Sequence, residues 1–247
     1  MNYLEPAPGK ARRWNVKLAV SVPPLVAVLC LLGSVGNVFA LAQEGAREGA
    51  QEGHRSHSGR DVSGYIKNLD RASRTEWQKP DEVVGKLQLQ AGKAVADLGA
   101  GSGYFTFRFA GAVGEQGTVY AVDIEPGMLD HITNRAQEEG IGNLQPVHAA
   151  PDDPKLGAGS VDMIFTCNVL HHIENRDRYY PLLLKALRPG GRFAVVDFYK
   201  RELPVGPGRE MKITKQDMIR EVEAAGFHLA EDFDFLPYQY FLVFELK

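Results

Sequence analysis

Between residues 94 and 245 the hydrophobic positions keep changing rhythm. Short unbroken apolar runs give way to stretches where apolar residues recur every three or four positions. The first kind predicts strands buried on both faces, the second predicts helices with one apolar side. The runs lie at Ala94–Leu98, Thr118–Asp123, Leu144–His148, Val161–Thr166 and Arg192–Phe198. Helical spacing covers Tyr104–Ala112, Pro126–Glu139, Tyr179–Leu187 and a segment from the Thr214 cap to Ala225. The punctuation agrees: Pro126 opens a helix, while Gly140 and Gly226 stand where helices stop. Two more β-rich stretches, Phe227–Phe235 and Tyr238–Glu245, meet at Leu236-Pro237. Strand alternating with helix predicts an α/β fold, a doubly wound, mostly parallel seven-stranded sheet with helices on both faces.

Before residue 94 the pattern differs. Arg12, Arg13 and Lys17 precede a stretch without charge from Leu18 to Gln43, and Ala40-Leu41-Ala42 offers a small-x-small cleavage site. That layout predicts a secretory signal peptide over residues 1–42, cleaved after Ala42, and hence an exported domain, periplasmic or extracellular. The alternative is an uncleaved anchor, since the uncharged stretch is longer than the roughly 18 residues that can span a bilayer. Pro23-Pro24, Gly33 and Gly36 weaken such a helix. In both readings the domain lies outside, and residues 18–42 are the part that could associate with a membrane. Residues 43–63 hold almost no large apolar side chains and predict a flexible linker. From residue 64 to residue 90, Tyr65, Ile66, Leu69 and Trp77 among polar neighbours predict short helices ahead of the sheet, the last of them Asp81–Leu87. The main domain is then 64–247.

Composition narrows the partners. The 247 residues are 44% hydrophobic and carry a net charge of −3. Residues 1–42 contain Lys10, Arg12, Arg13 and Lys17 against Glu5 alone, so the rest of the chain is more acidic than the whole. An acidic domain without a basic run is a poor partner for nucleic acid. Of the two cysteines, Cys30 falls in the leader, so a cleaved protein keeps only Cys167 and forms no internal disulfide.

The candidate chemistry centres on Gly99-Ala100-Gly101-Ser102-Gly103, which breaks the first strand just after its one acid, Asp97. Gly99, Gly101 and Gly103 allow a sharp turn and a close approach of backbone to ligand. The following helix aims its free N–H groups and the positive end of its dipole at the same space. Asp123 ends the second strand, 24 residues beyond Gly99. In a doubly wound sheet a carboxylate there accepts hydrogen bonds from ribose hydroxyls. A dinucleotide fingerprint would need a sixth-position glycine, and Tyr104 stands there.

These motifs make the chain resemble the S-adenosylmethionine-dependent methyltransferases of class I. The resemblance runs through VADLGAGSG, YAVDIEPGML (Tyr120–Leu129), VDMIFTCNVLHHI (Val161–Ile173) and LRPGGRFAVVDF (Leu187–Phe198), in that order. It implies S-adenosyl-L-methionine as cofactor, a small or lipophilic acceptor, and an antiparallel pair for the last two strands. It places Gly99, Gly101, Gly103 and Asp97 around the methionine portion, Asp123 on the ribose and Ile124 against adenine. Asp152 or Asp153 would accept from the adenine amine, with Asp152 taken first. Asn168 would stand at the pocket mouth among the cofactor-lining residues, where relatives often carry an acid. His171 and His172 follow the fourth strand at the edge where ligands bind, and a histidine there could take a proton from an acceptor. A non-catalytic binder of the same cofactor is the alternative. A leader that points outward sits awkwardly with a cofactor made in the cytoplasm.

Overall fold

The structure is a computed structural model and describes residues 62–247. The leader and most of the expected linker lie outside the described residues. Three short helices come first: α1 (Val62–Leu69), α2 (Ala72–Gln78) and α3 (Pro80–Leu87). α1 begins at Val62, inside the stretch expected to be linker. Then follow β1 (Ala94–Leu98), α4 (Thr106–Val113), β2 (Thr118–Asp123), α5 (Pro126–Glu139) and β3 (Leu144–His148). The second half holds β4 (Val161–Cys167), α6 (Arg176–Ala186), β5 (Leu187–Phe198), α7 (Lys215–Ala224), β6 (Phe227–Phe233) and β7 (Gln239–Leu246).

One seven-stranded sheet runs in the order β3-β2-β1-β4-β5-β7-β6. The first five strands are parallel, and β7 lies antiparallel between β5 and β6. All five residues of β1 are buried, as a central parallel strand requires. On one face Val95, Val119, Met163, Phe165 and Val243 pack against Val83 and Leu87 of α3 and Phe109 of α4. On the other, Leu98, Ile164, Phe193 and Phe244 meet Tyr180 and Leu183 of α6 and Met218 of α7. Truncating a fully buried aromatic such as Phe109 would cost about 3–5 kcal/mol.

Caps and glycines set the ends. The Thr214 hydroxyl accepts the Asp217 N–H at 3.0 Å, and Gly140 ends α5 in the left-handed region. Several boundaries differ from the sequence pattern by one to five residues, and two of them have a plain local cause. α4 starts at Thr106 rather than Tyr104, because Gly103, at φ +83°, still belongs to the turn, its N–H donating to Ala100 O. β5 starts at Leu187, because Arg188-Pro189-Gly190-Gly191 loops out of the ladder between the Val161–Leu187 and Met163–Arg192 pairs.

The chain winds outward from β1 through β2 to β3, then crosses back to lay β4 on the other side of β1. That reversal leaves a crevice beyond the carboxyl ends of β1 and β4, where open α/β sheets bind their ligands.

Candidate active site

Asp97 sits one residue before the end of β1, in register with Ala121 of β2 and Phe165 of β4. It is buried, and Thr106 holds it, the hydroxyl donating to Oδ2 at 2.6 Å. Burial pushes its carboxyl up to about 7, the Thr106 bond opposing and the Asp123 charge adding. Asp123 accepts the Gly101 N–H on Oδ2 at 2.8 Å and the Glu125 N–H on Oδ1 at 2.9 Å. Burial raises its pKa too, against those backbone bonds. Two partly desolvated carboxyls thus bracket the glycine turn with lone pairs to spare. Ile124 follows, 51% exposed, the one large hydrophobic left exposed among the described residues.

The glycine N–H groups of the turn are taken up within the protein. Gly99 and Ala100 both donate to Val122 O, Gly101 to Asp123, and Gly103 to Ala100 O. The missing side chains are filled by protein. A Cβ on Gly99 would lie 2.1 Å from Val169 Cγ2, one on Gly101 3.1 Å from Leu69 Cδ1, and one on Gly103 2.6 Å from Phe107. The glycines therefore let β4's loop, α1 and α4 converge on the turn, and the backbone bonds clamp it to β2.

The first two helices cover this turn. Asp70, just after α1, accepts the Ser102 hydroxyl at 2.6 Å, and Thr75 of α2 shares a 2.9 Å hydrogen bond with the Tyr104 hydroxyl. Arg74 lies 4.1 Å over the Tyr104 ring. Trp77 packs against Phe198 and Tyr238, with ring centroids 5.8 and 6.0 Å apart, at the carboxyl end of β5.

The remaining candidates divide. Asp153 spends both oxygens on Lys155, accepting its backbone N–H at 2.8 Å and its ammonium at 2.7 Å. Asp152 stays exposed beside it. Asn168 follows β4 with φ +62° and accepts a 2.6 Å hydrogen bond from Gln239. His171 is buried to 2% exposure and its Nδ1 lies 2.9 and 3.0 Å from the two oxygens of Asp197, itself at 1%. A carboxylate at Nδ1 takes that nitrogen's proton in a hydrogen bond and leaves the basic lone pair on Nε2. The exposed His172 ring lies against it, tilted by 44° with 4.2 Å between centroids. Cys167 is no nucleophile, since burial pushes its thiol up to about 12.

Sequence reasoning missed Asp197, Gln78 and Gln239. Asp197 carried the signal that had marked Asp97, a lone acid in an apolar strand. Nothing local marks the two glutamines.

Residues 89–232 match the family model described as "Methyltransferase domain", more than half of the chain. The chain belongs to that family. Among curated proteins, this methyltransferase domain is 33% identical over 110 residues to the ubiquinone/menaquinone biosynthesis C-methyltransferase UbiE of Vibrio campbellii, covering 44% of this chain and 42% of that one. The corresponding enzyme of Francisella tularensis subsp. holarctica is 28% identical over 130 residues, 52% and 51% of the two chains. The chain thus spans about half the length of the curated relatives it matches. Among solved structures, a SAM-dependent methyltransferase from Aquifex aeolicus superposes with a TM-score of 0.71 at 26% identity, over 76% of this chain and all of that one. The Burkholderia thailandensis 1,6-didemethyltoxoflavin-N1-methyltransferase, solved with its substrate and S-adenosylhomocysteine, shares the fold, with a TM-score of 0.56 at 22% identity over 89% of this chain and 93% of that one. These comparisons lend nothing to a non-catalytic sensor.

Proposed function

We propose that the chain transfers a methyl group from S-adenosyl-L-methionine to a small, lipophilic acceptor. The observation that carries this reading is the pair of carboxyls, Asp97 and Asp123, set on either side of the glycine turn at the switch point. When bound, the cofactor supplies a methyl group already activated on a sulfonium, so the protein has to align, shield and deprotonate. The buried Asp97 carboxyl, held by Thr106, fits an ammonium. Asp123 keeps lone pairs for ribose hydroxyls, and Ile124 gives adenine an apolar face. Asp152, with Asp153 tied to Lys155, is the acid left for the adenine amine.

The chain's own residues do the rest. α1 and α2 cover the turn and keep water from it, with Trp77 closing the β5 side. His171, held by Asp197, offers Nε2 to the acceptor's proton, and His172 flanks it. The likeness to the quinone-modifying relatives supports a lipophilic acceptor.

The test is calorimetric titration with S-adenosylhomocysteine. Asp123→Ala is expected to weaken binding by about 1–3 kcal/mol, the cost of lost hydrogen bonds to a charged group. Unchanged affinity removes the ribose assignment. Methyl-labelled cofactor incubated with the protein and a host-cell extract should yield a labelled small molecule; tight binding with no transfer overturns the enzyme reading.

We also propose that the domain is exported and its leader cleaved. Intact-mass analysis of protein from the native host should then find a chain starting at Gln43, whereas a chain retaining Met1 favours the anchor.

A further inference from the structure

A row of amides runs beneath the cap from α2 to the end of β4, and chemistry at one end fixes its direction. The Arg74 guanidinium donates to Gln78 Oε1. Guanidinium has donors and no acceptor, so Gln78 must turn its oxygen to Arg74 and its NH2 away. That NH2 donates to Gln239 Oε1 at 3.0 Å and to Cys167 Sγ at 2.8 Å. Gln239 is left with its own NH2 facing β4, where it donates to Asn168 Oδ1 at 2.6 Å. Gln78 and Gln239 are wholly buried, so neither can swap its partner for water. Asn168 ends the row with its oxygen engaged and its Nδ2 without a hydrogen bond among the described residues.

Asn168 is only half-buried, and its backbone is held by a 2.9 Å hydrogen bond from its N–H to Val196 O. It therefore presents a fixed N–H donor at the carboxyl edge of β4. The same edge carries the His171–Asp197 pair, and Gln239, its neighbour in the row, follows directly on Tyr238 of the Trp77–Phe198–Tyr238 aromatic cluster.

We propose that Asn168 Nδ2 donates a hydrogen bond to an oxygen of the methyl acceptor, which is a phenol or enol bound as its anion, a reading that rests on the methyltransferase function above. Sequence reasoning had set Asn168 among the cofactor-lining residues; the direction of its amide moves it to the acceptor side. An oxygen has lone pairs enough to accept this bond while another of its pairs, or the adjacent carbon, attacks. A neutral amine has one lone pair, which is the nucleophile, and its hydrogens would face the amide's own. In the transfer the acceptor's oxygen or ring carbon bonds to the methyl carbon as the carbon–sulfur bond breaks. Sulfur keeps the electron pair; the acceptor's hydroxyl proton has already gone to Nε2 of His171 on binding, and after attack through carbon the ring proton passes to the acceptor's own oxygen. The aromatic cluster favours a planar ring. Arg74, Gln78 and Gln239 are positioning residues.

The experiment uses the full-length protein saturated with S-adenosylhomocysteine, whose binding is measured first by calorimetry. Absence of that binding defeats the proposed function itself and is read separately. 4-Nitrophenol and 4-nitroaniline, alike in shape and opposite in hydrogen bonding, are then titrated and followed by visible absorbance. The phenol is expected to bind as its anion and about tenfold or more tighter than the aniline, the equivalent of one hydrogen bond to a charged group. Asn168→Asp, which replaces the donor, should erase that preference with S-adenosylhomocysteine affinity unchanged. Gln239→Glu keeps Asn168 but offers it only an acceptor, which turns the amide around; it should produce the same loss, with melting curves confirming that both variants fold. Equal binding of the two probes to the unmodified protein, binding of neither, or a phenol affinity that survives Asn168→Asp each overturns the proposal.

Discussion

Tyr240 carries its hydroxyl into the core where β5 and β7 pair, and that oxygen has no hydrogen-bond partner among the described residues. It stands in register with Asp197, and burial, followed by the charge of Asp197, pushes its pKa far up. A buried hydroxyl left unsatisfied costs about 1–3 kcal/mol, so its removal should help. Tyr240→Phe is expected to raise stability by about 1 kcal/mol in urea denaturation, because the T-shaped contact of its ring with Tyr199, 5.8 Å between centroids, needs no oxygen. A loss of stability would show that the hydroxyl has a partner. Contrast Asp97, equally buried, whose carboxyl has the Thr106 hydroxyl and sits at a ligand crevice. Single residues were legible where their chemistry broke a local pattern, as an acid in the apolar run of β1 does. Gln78 and Gln239 broke none. Their importance comes from meeting each other across 161 positions of chain, which no window of sequence contains.

The glycine turn shows what is legible at the level of an element. Its position and sharpness follow from Gly-x-Gly-x-Gly, and Gly99 does sit at φ +75°. Which neighbour needs the missing side chain depends on the crossing of β4, and the answer is Val169 rather than open space. Gly99→Ala therefore carries two penalties. The left-handed backbone costs an L-residue roughly 1–2 kcal/mol, and a methyl 2.1 Å from Val169 Cγ2 adds an overpacking cost of similar size. The expected loss is about 3 kcal/mol in total. Val169→Ala in that background should restore the steric part and leave the backbone part. Alone, it should cost about 1–2 kcal/mol through the lost packing. A double-mutant cycle read by denaturant midpoints decides it: strictly additive energies would mean that the two residues do not meet. The start of α4 at Thr106 has the same origin, since the turn holds its conformation through Gly103 and delays the helix.

At the scale of the whole molecule the topology was legible because alternating strands and helices leave few ways to close a parallel sheet, and right-handed crossovers leave fewer. Asp97 and Asp123 were brought to one crevice by that topology alone, and the β5–β7–β6 arrangement then covers the far side of β5. The ionic cost of the crevice was not legible, because it depends on how deeply the cap buries the acids. It has a consequence for stability. In the unfolded chain Asp97 ionises near 3.8, while in the folded one its carboxyl is held up to about 7. Between those values the folded protein binds more protons than the unfolded, so stability is fully present at the acid end and falls as pH rises through 7. Asp123 shifts in the same direction. Asp153, Asp162 and Asp217 shift downward, and so act below the ordinary carboxylate range rather than in this window. The melting temperature of the free protein should therefore decline from about pH 4.5 to pH 7.5, and Asp97→Asn should flatten that slope. A cation bound beside Asp97 favours its ionised form, so S-adenosylhomocysteine, which keeps the ammonium, should bind more tightly as pH rises through 7 and release a proton as it does. Calorimetry in buffers of different ionisation heat reads that proton directly. Identical enthalpies in every buffer would mean that Asp97 is already charged before the ligand arrives, and that the cap leaves it in water.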